Sequence, residues 1–422
     1  MFAGNASAVD VQTPPVPRGE QLWFVEDHTL PMIAMTVAIP AGSAYDPAGK
    51  PGLAAFAAAL MDEGAGRLNS QQFQTALSNR AIHLSIGAER DWTIISLVTL
   101  SDNAHDAFQL LGTALAHPRF DAEAINRVRA QILSSLAQEQ EDPDSVAAKT
   151  YYAAYFHDHP YGHPISGTAQ AVSAIGAGDL KNFAATHWVR DNMRISVSGD
   201  VDKKTLAGLL ALAFGGLPQR AVPRIAPVGR VGTSNVVFVP MAVPQPVAIF
   251  GLPGPLRSDP DFIPAYVANH ILGGGGFSSR LTGEVRVKRG LTYDVSTSLN
   301  TYNRAGIFVG QVATRADGVR QTLDVVRKTM SDFASGGPTD KELADAKTYL
   351  TGSFPLAFSS NVGIAGQLNA FQRAGLPVDY IAKRNGLIDA VTLDDEKRVS
   401  KRLFNPSKLT VVVAGTLPPK GK

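Results

Sequence analysis

The chain repeats its own plan once, and that duplication restricts its fold more than any other feature. The stretch from Gly215 to Ser234, GGLPQRAVPRIAPVGRVGTS, is interrupted throughout by Pro, Gly and Arg and reads as a linker between two halves. Before it, MIAMTVAIP from Met32 reads as a strand and Gly52 to Gly64 as a helix. Strands follow near Ile82 to Ile86 and Trp92 to Leu100, then helices from about Asn103 to Ala116 and Asp121 to Glu141. After the linker the succession returns. AIFGLP from Ala248 is a strand, Pro260 to Leu272 a helix, and Thr292 to Leu299 and Gly306 to Ala313 are strands. Helices then span about Gly318 to Ser335 and Thr339 to Phe354, the latter stopped by Pro355. Each half closes with a helix and a strand, MRISVSG from Met193 and KLTVVVAG from Lys408. Two homologous domains are therefore expected, residues 1–222 and 223–422.

Strands joined by short turns, with helices grouped rather than alternating one for one, predict an α+β fold. Each domain is expected to be an antiparallel sheet with helices packed on one face, the two related by pseudo-two-fold symmetry. A chain of 422 residues suits two cores of this kind. The 39 Lys and Arg nearly balance the 37 Asp and Glu, so no global field draws nucleic acid or an anionic membrane. No apolar run approaches the roughly 18 residues of a membrane span. The absence of cysteine removes disulfides, thiolate metal sites and a thiol nucleophile.

Two stretches carry chemistry. The first is GKPGLAAFAAALMDEGAG, Gly49 to Gly66, and the second ILGGGGFSSRLTGEVRVKRGLTYDVSTSL, Ile271 to Leu299. The first resembles the signature helix of the insulinase or pitrilysin family of zinc peptidases, which carries an inverted His-x-x-Glu-His motif. Aligned on that motif, the two histidine positions fall on Ala55 and Ala59 and the catalytic glutamate on Ala58. The third ligand, a later glutamate, falls on or beside Ser135 in QILSSLAQEQEDP. Residues four apart on a helix share a face and can grip one ion, but methyl groups cannot. No metal is expected on this chain.

The second stretch closely resembles the family pattern L-G-G-G-x-S-S-R-L-x-x-E-V-R-E-K-R-G-L-x-Y-x-V. The resemblance implies that Arg286 and Tyr293 act on a bound peptide, Tyr293 on the oxyanion and Arg286 on a nearby carbonyl, from a helix end and a strand start. It also implies that Gly273, Gly274, Gly275, Gly276 and Phe277 contact substrate, as a glycine-rich loop does in the non-catalytic subunit of the processing-peptidase branch. Arg280 and Arg289 read as structural, a salt link and a turn residue. The glycine run is not a phosphate loop, because it lacks the G-x-x-x-x-G-K-[ST] pattern and follows a helix.

A dead zinc helix joined to an intact Arg/Tyr pair implies a zinc-free subunit of a heterodimeric metallopeptidase, inactive alone. Its partner would be a homologous catalytic subunit with His-x-x-Glu-His intact and zinc bound, and its substrate an unstructured peptide. The alternative is a structural subunit, like the respiratory core proteins that share this fold. A second alternative is a metallohydrolase built on FHDHPYGHP, with His157, His159 and His163. The family has a similar segment that is structural loop, and its Pro and Gly explain a turn without an ion. The first residues, MFAGNASAVD, do not read as a signal peptide. The Ala- and Gly-rich composition and the lack of a mitochondrial-type presequence suggest a bacterial, periplasmic protein with its signal removed.

Overall fold

The computed structural model describes residues 10–16, 20–229, 231–232 and 234–416, and it contains two five-stranded sheets of one topology. The first is built from β1 (Gln21–Glu26), β2 (Met32–Ile39), β3 (His83–Ala88), β4 (Thr93–Leu100) and β5 (Arg194–Gly199). Its order is β1-β5-β2-β4-β3. The second is built from β6 (Val236–Pro240), β7 (Val247–Gly254), β8 (Val295–Thr301), β9 (Gly306–Ala313) and β10 (Thr410–Gly415), in the order β8-β9-β7-β10-β6. Strand for strand the two orders are the same. Pairing is antiparallel except at one end of each sheet, where β1 lies parallel to β5 and β6 parallel to β10.

Alternation along the strands separates the two faces of each sheet. In the first sheet Ile33, Met35, Val37, Ile95, Ile195 and Val197 join one core with the helices grouped on that face. The alternate positions include the small or polar Thr36, Ser196 and Ser198. On that second face the helix Asn361–Arg373 packs across β5, β2 and β1. Asn369 Nδ2 donates to the Thr36 and Arg194 carbonyls, and Gln372 Nε2 to those of Gln21 and Ile195. Ser198 donates to Asn361 Oδ1 at 2.8 Å. The second sheet is treated likewise: Phe250, Leu252, Phe308, Val411 and Val413 face one core, while the helix Pro143–Phe156 lies along β10 and β7 on the other side.

These covering helices are exchanged between the halves of the sequence. One compact unit comprises residues 1–136, 164–225 and 354–380; the other comprises 137–163, 226–353 and 381–422. The linker does separate the two sheets, but each sheet takes one covering helix from across it. The helices grouped on one face of each sheet follow the expected α+β plan, and the exchanged helix is an addition to it. Among the described residues no helix is long and apolar enough to cross a membrane.

Candidate functional site

In the first unit, the helix that the motif occupies is short, Leu53–Ala59. Asp46 holds its beginning: the carboxylate accepts the N–H groups of Gly52 and Ala54, each at 2.7 Å. Burial pushes the Asp46 carboxyl up to about 7 against those two bonds. Leu53, Phe56 and Ala57 face the core. Ala55 is half-buried, Ala59 is exposed and Ala58 is buried. Ser135 is exposed on the helix Ala122–Glu141, whose Arg129 places its guanidinium 5.7 Å from the Phe56 ring centre. Three methyl groups and a hydroxyl supply no imidazole or carboxylate, so these positions do not fit a zinc ion. Among the described residues no group of three or more His, Asp or Glu could hold a metal. Glu63, just beyond the helix, is engaged by Ser70 and Arg127.

The histidine-rich segment is a structural turn. His159 accepts the Tyr161 N–H on Nδ1 at 3.2 Å, and its Nε2 donates to the Ala226 carbonyl at 3.0 Å, so both ring nitrogens are occupied. His157 ends the helix Pro143–Phe156 with φ of 51°.

In the second unit, one short π-helix, His270–Gly274, ends inside the glycine run and a second, Thr282–Val287, follows it. Such segments are rare and concentrate at functional sites. The glycines have different reasons to be there. Gly273 is buried, and a Cβ on it would lie 2.4 Å from Thr297 Oγ1. A Cβ on Gly274 would meet Asn269 Nδ2 at 2.7 Å, and one on Gly275 the His270 carbonyl at 2.8 Å. Gly276 has φ of +57° and open space around it. Of the five residues expected to meet a peptide, Gly273 is buried against Thr297 of β8. Gly274, Gly276 and Phe277 are exposed, Phe277 by 74%.

The arginines of this stretch divide in two. Arg280 donates two bonds of 2.6 Å to the Glu342 carboxylate and lies over the Phe333 ring. Burial would raise the Glu342 carboxyl, but Arg280 and Thr339 overcome it and hold the group down to about 2. Arg289 donates to the Glu284 carbonyl and carboxylate, closing the turn. Arg286, at the end of the second π-helix, has no hydrogen bond or ion pair among the described residues. Its guanidinium sits 4.5 Å from the centre of the Phe277 ring.

Tyr293 is likewise without a hydrogen-bond partner among the described residues and is 81% exposed. It precedes β8 by two residues rather than beginning it. Its neighbours are fixed: the Thr292 hydroxyl donates to the Ala313 carbonyl at 2.5 Å and accepts the Asp294 N–H at 3.1 Å. Thr314 donates to the Leu291 carbonyl at 2.6 Å. The segment is thus bolted to the end of β9 while the phenol projects outward. Sequence reasoning passed over His270, which stacks on exposed Tyr349 with ring centres 5.0 Å apart; no spacing in the sequence links residues so far apart.

The duplicated sheet topology, the donor-free helix and the Arg/Tyr stretch define a peptidase-family fold whose zinc positions are empty of ligands, and the chain belongs to the insulinase family, peptidase family M16. Residues 23–169 match that family, and residues 174–350 match its peptidase M16 inactive domain. The chain is 29% identical to a peptidase M16 inactive domain from Pseudomonas fluorescens, with a TM-score of 0.92 over 98% of this chain and 100% of that one. It is 27% identical to the non-peptidase homolog YmxG of Helicobacter pylori, over 85% of this chain and 83% of that protein. An uncharacterized zinc protease of Mycobacterium tuberculosis is also 27% identical, over 71% of this chain and 69% of its own length.

Proposed function

We propose that this chain is the zinc-free subunit of a heterodimeric metallopeptidase that cleaves unstructured peptides, that it is inactive alone, and that it lends Arg286 and Tyr293 to a partner's active site.

 The observation that carries this reading is the division among the polar side chains of one stretch. Arg280 and Arg289 are consumed by carboxylates of this chain, while half-buried Arg286 and exposed Tyr293 have no hydrogen-bond partner among the described residues. An exposed phenol and a half-buried guanidinium without an internal partner remain available, and they gain when negative charge develops on a carbonyl oxygen beside them. Amide hydrolysis produces that charge in its transition state, so a donor held in place accelerates the reaction. The names of the relatives, an inactive domain and a non-peptidase homolog, support inactivity of the chain alone. The partner is a homologous subunit with His-x-x-Glu-His intact and its own zinc, and the compartment is the bacterial periplasm.

The test is cleavage of a quenched peptide by this chain, by an intact-motif partner and by their mixture, with Tyr293→Phe in parallel. The expected outcome is activity confined to the mixture and reduced about a hundred- to a thousandfold by the substitution. Activity of the partner that ignores this chain or Tyr293 would leave it a structural subunit.

A further inference from the structure

We infer that His270 and Tyr349 form a binding site for an aromatic side chain of the peptide, beside the glycine loop. The inference rests on the reading of this chain as a peptide-binding subunit and adds the class of side chain it selects.

His270 opens the first π-helix, and Tyr349 lies on the helix Asp340–Gly352. Their rings stack at 5.0 Å between centres with 21° between planes. Tyr349 nevertheless remains 62% exposed, so the stack has a surface facing solvent. The imidazole is half-buried and has no hydrogen-bond partner among the described residues. Burial pushes its pKa down, which keeps the ring neutral at neutral pH. A neutral imidazole offers one donor and one acceptor, and a peptide backbone supplies the complement of each.

The loop is shaped around this ring. A Cβ on Gly275 would come within 3.1 Å of His270 Nε2, so a side chain there would crowd the imidazole. Two residues further on, Phe277 is exposed beneath Arg286. The loop therefore carries one π-surface that holds the proposed carbonyl-binding arginine and a second that is unclaimed. Aromatic rings stack favourably beyond the area they bury, so an aromatic residue gains more here than an aliphatic one.

The test measures binding by the full chain without a partner. Two fluorescein-labelled unstructured peptides, identical except for Phe or Ala at one central position, are titrated by anisotropy. The Phe peptide is expected to bind about tenfold more tightly. Tyr349→Ala should abolish that preference, Tyr349→Phe should keep it, and His270→Gln should weaken both peptides. Thermal unfolding of each variant establishes that it is folded. Equal binding of the two peptides, no binding of either, or a preference that survives Tyr349→Ala would overturn the inference. Cleavage by the mixture with Tyr293 dependence, but no aromatic preference, would remove this site and leave the donated Arg/Tyr pair standing. An aromatic preference without any gain in cleavage would do the reverse.

Discussion

Glu396 has no exposed surface on the helix Leu393–Leu403, and neither carboxylate oxygen has a hydrogen-bond partner among the described residues. Burial, reinforced by neighbouring Asp395 and opposed by Lys347, pushes its carboxyl from 4.5 up to about 8. Between those values the folded chain holds a proton that the unfolded chain has released. Stability is therefore fully present below 4.5, falls as pH rises, and levels off above about 8. The slope for one such group is about 1.4 kcal/mol per pH unit. Glu396→Gln is expected to flatten this slope and to raise the urea midpoint at pH 8 relative to wild type; an unchanged pH profile would mean that the acid has a partner in solution. Nothing in the sequence marks Glu396, because its isolation is made by packing of distant elements. Ala55, Ala58 and Ala59 were legible because loss of a donor is written in the residue itself. Arg286 and Tyr293 were singled out by the family resemblance, whereas their lack of partners among the described residues was not readable: Arg280 finds Glu342 62 positions away, and only the fold decides which arginine does so.

At the scale of elements, the central strands and the long helices were readable from their periodicity, and most lie within two residues of where the pattern put them. The motif helix was not: it ends at Ala59, well short of Gly64. The edge strands β1 and β6 and the two exchanged helices were also passed over. The helix Pro143–Phe156 had local signals, an Asp142 cap and Pro143 in its first turn. Its destination had none, since Tyr151 reaches a strand a hundred positions on. That contact is tight: a Cβ on Gly251 of β7 would lie 2.0 Å from the Tyr151 hydroxyl oxygen. Gly251→Ala is therefore expected to destabilise the chain by about 1–3 kcal/mol by lifting the helix from the sheet. The hydroxyl itself has no hydrogen-bond partner among the described residues, so Tyr151→Phe should be close to neutral. In the double variant the methyl still meets the Phe308 carbonyl oxygen at 2.6 Å and Tyr151 Cζ at 2.9 Å, so chemical unfolding should recover only part of the loss. Simple additivity of the two effects would show that the contact is not where the strain arises.

For the whole molecule, the exchange sets how far the duplication can be taken literally. Residues 1–222 contain a complete five-stranded sheet, yet the face with Thr36, Ser196 and Ser198 is covered by a helix that begins at Asn361. Without it, the surface that Asn369 and Gln372 cover is opened to water and their bonds to four backbone carbonyls are lost. Residues 223–422 likewise lose the helix Pro143–Phe156, with Tyr151 and Tyr155 fully buried in the intact chain. Neither half is a closed domain in the sense that its sequence contains its own cover. Each fragment expressed alone is expected to unfold with a broad, weakly cooperative transition and to expose apolar surface to a hydrophobic dye. The two fragments mixed after refolding together should regain a sharp transition, because each then supplies the helix the other lacks. Cooperative unfolding of the isolated 1–222 fragment would mean that the sheet and its grouped helices suffice, and that the exchanged helix serves the site rather than the fold.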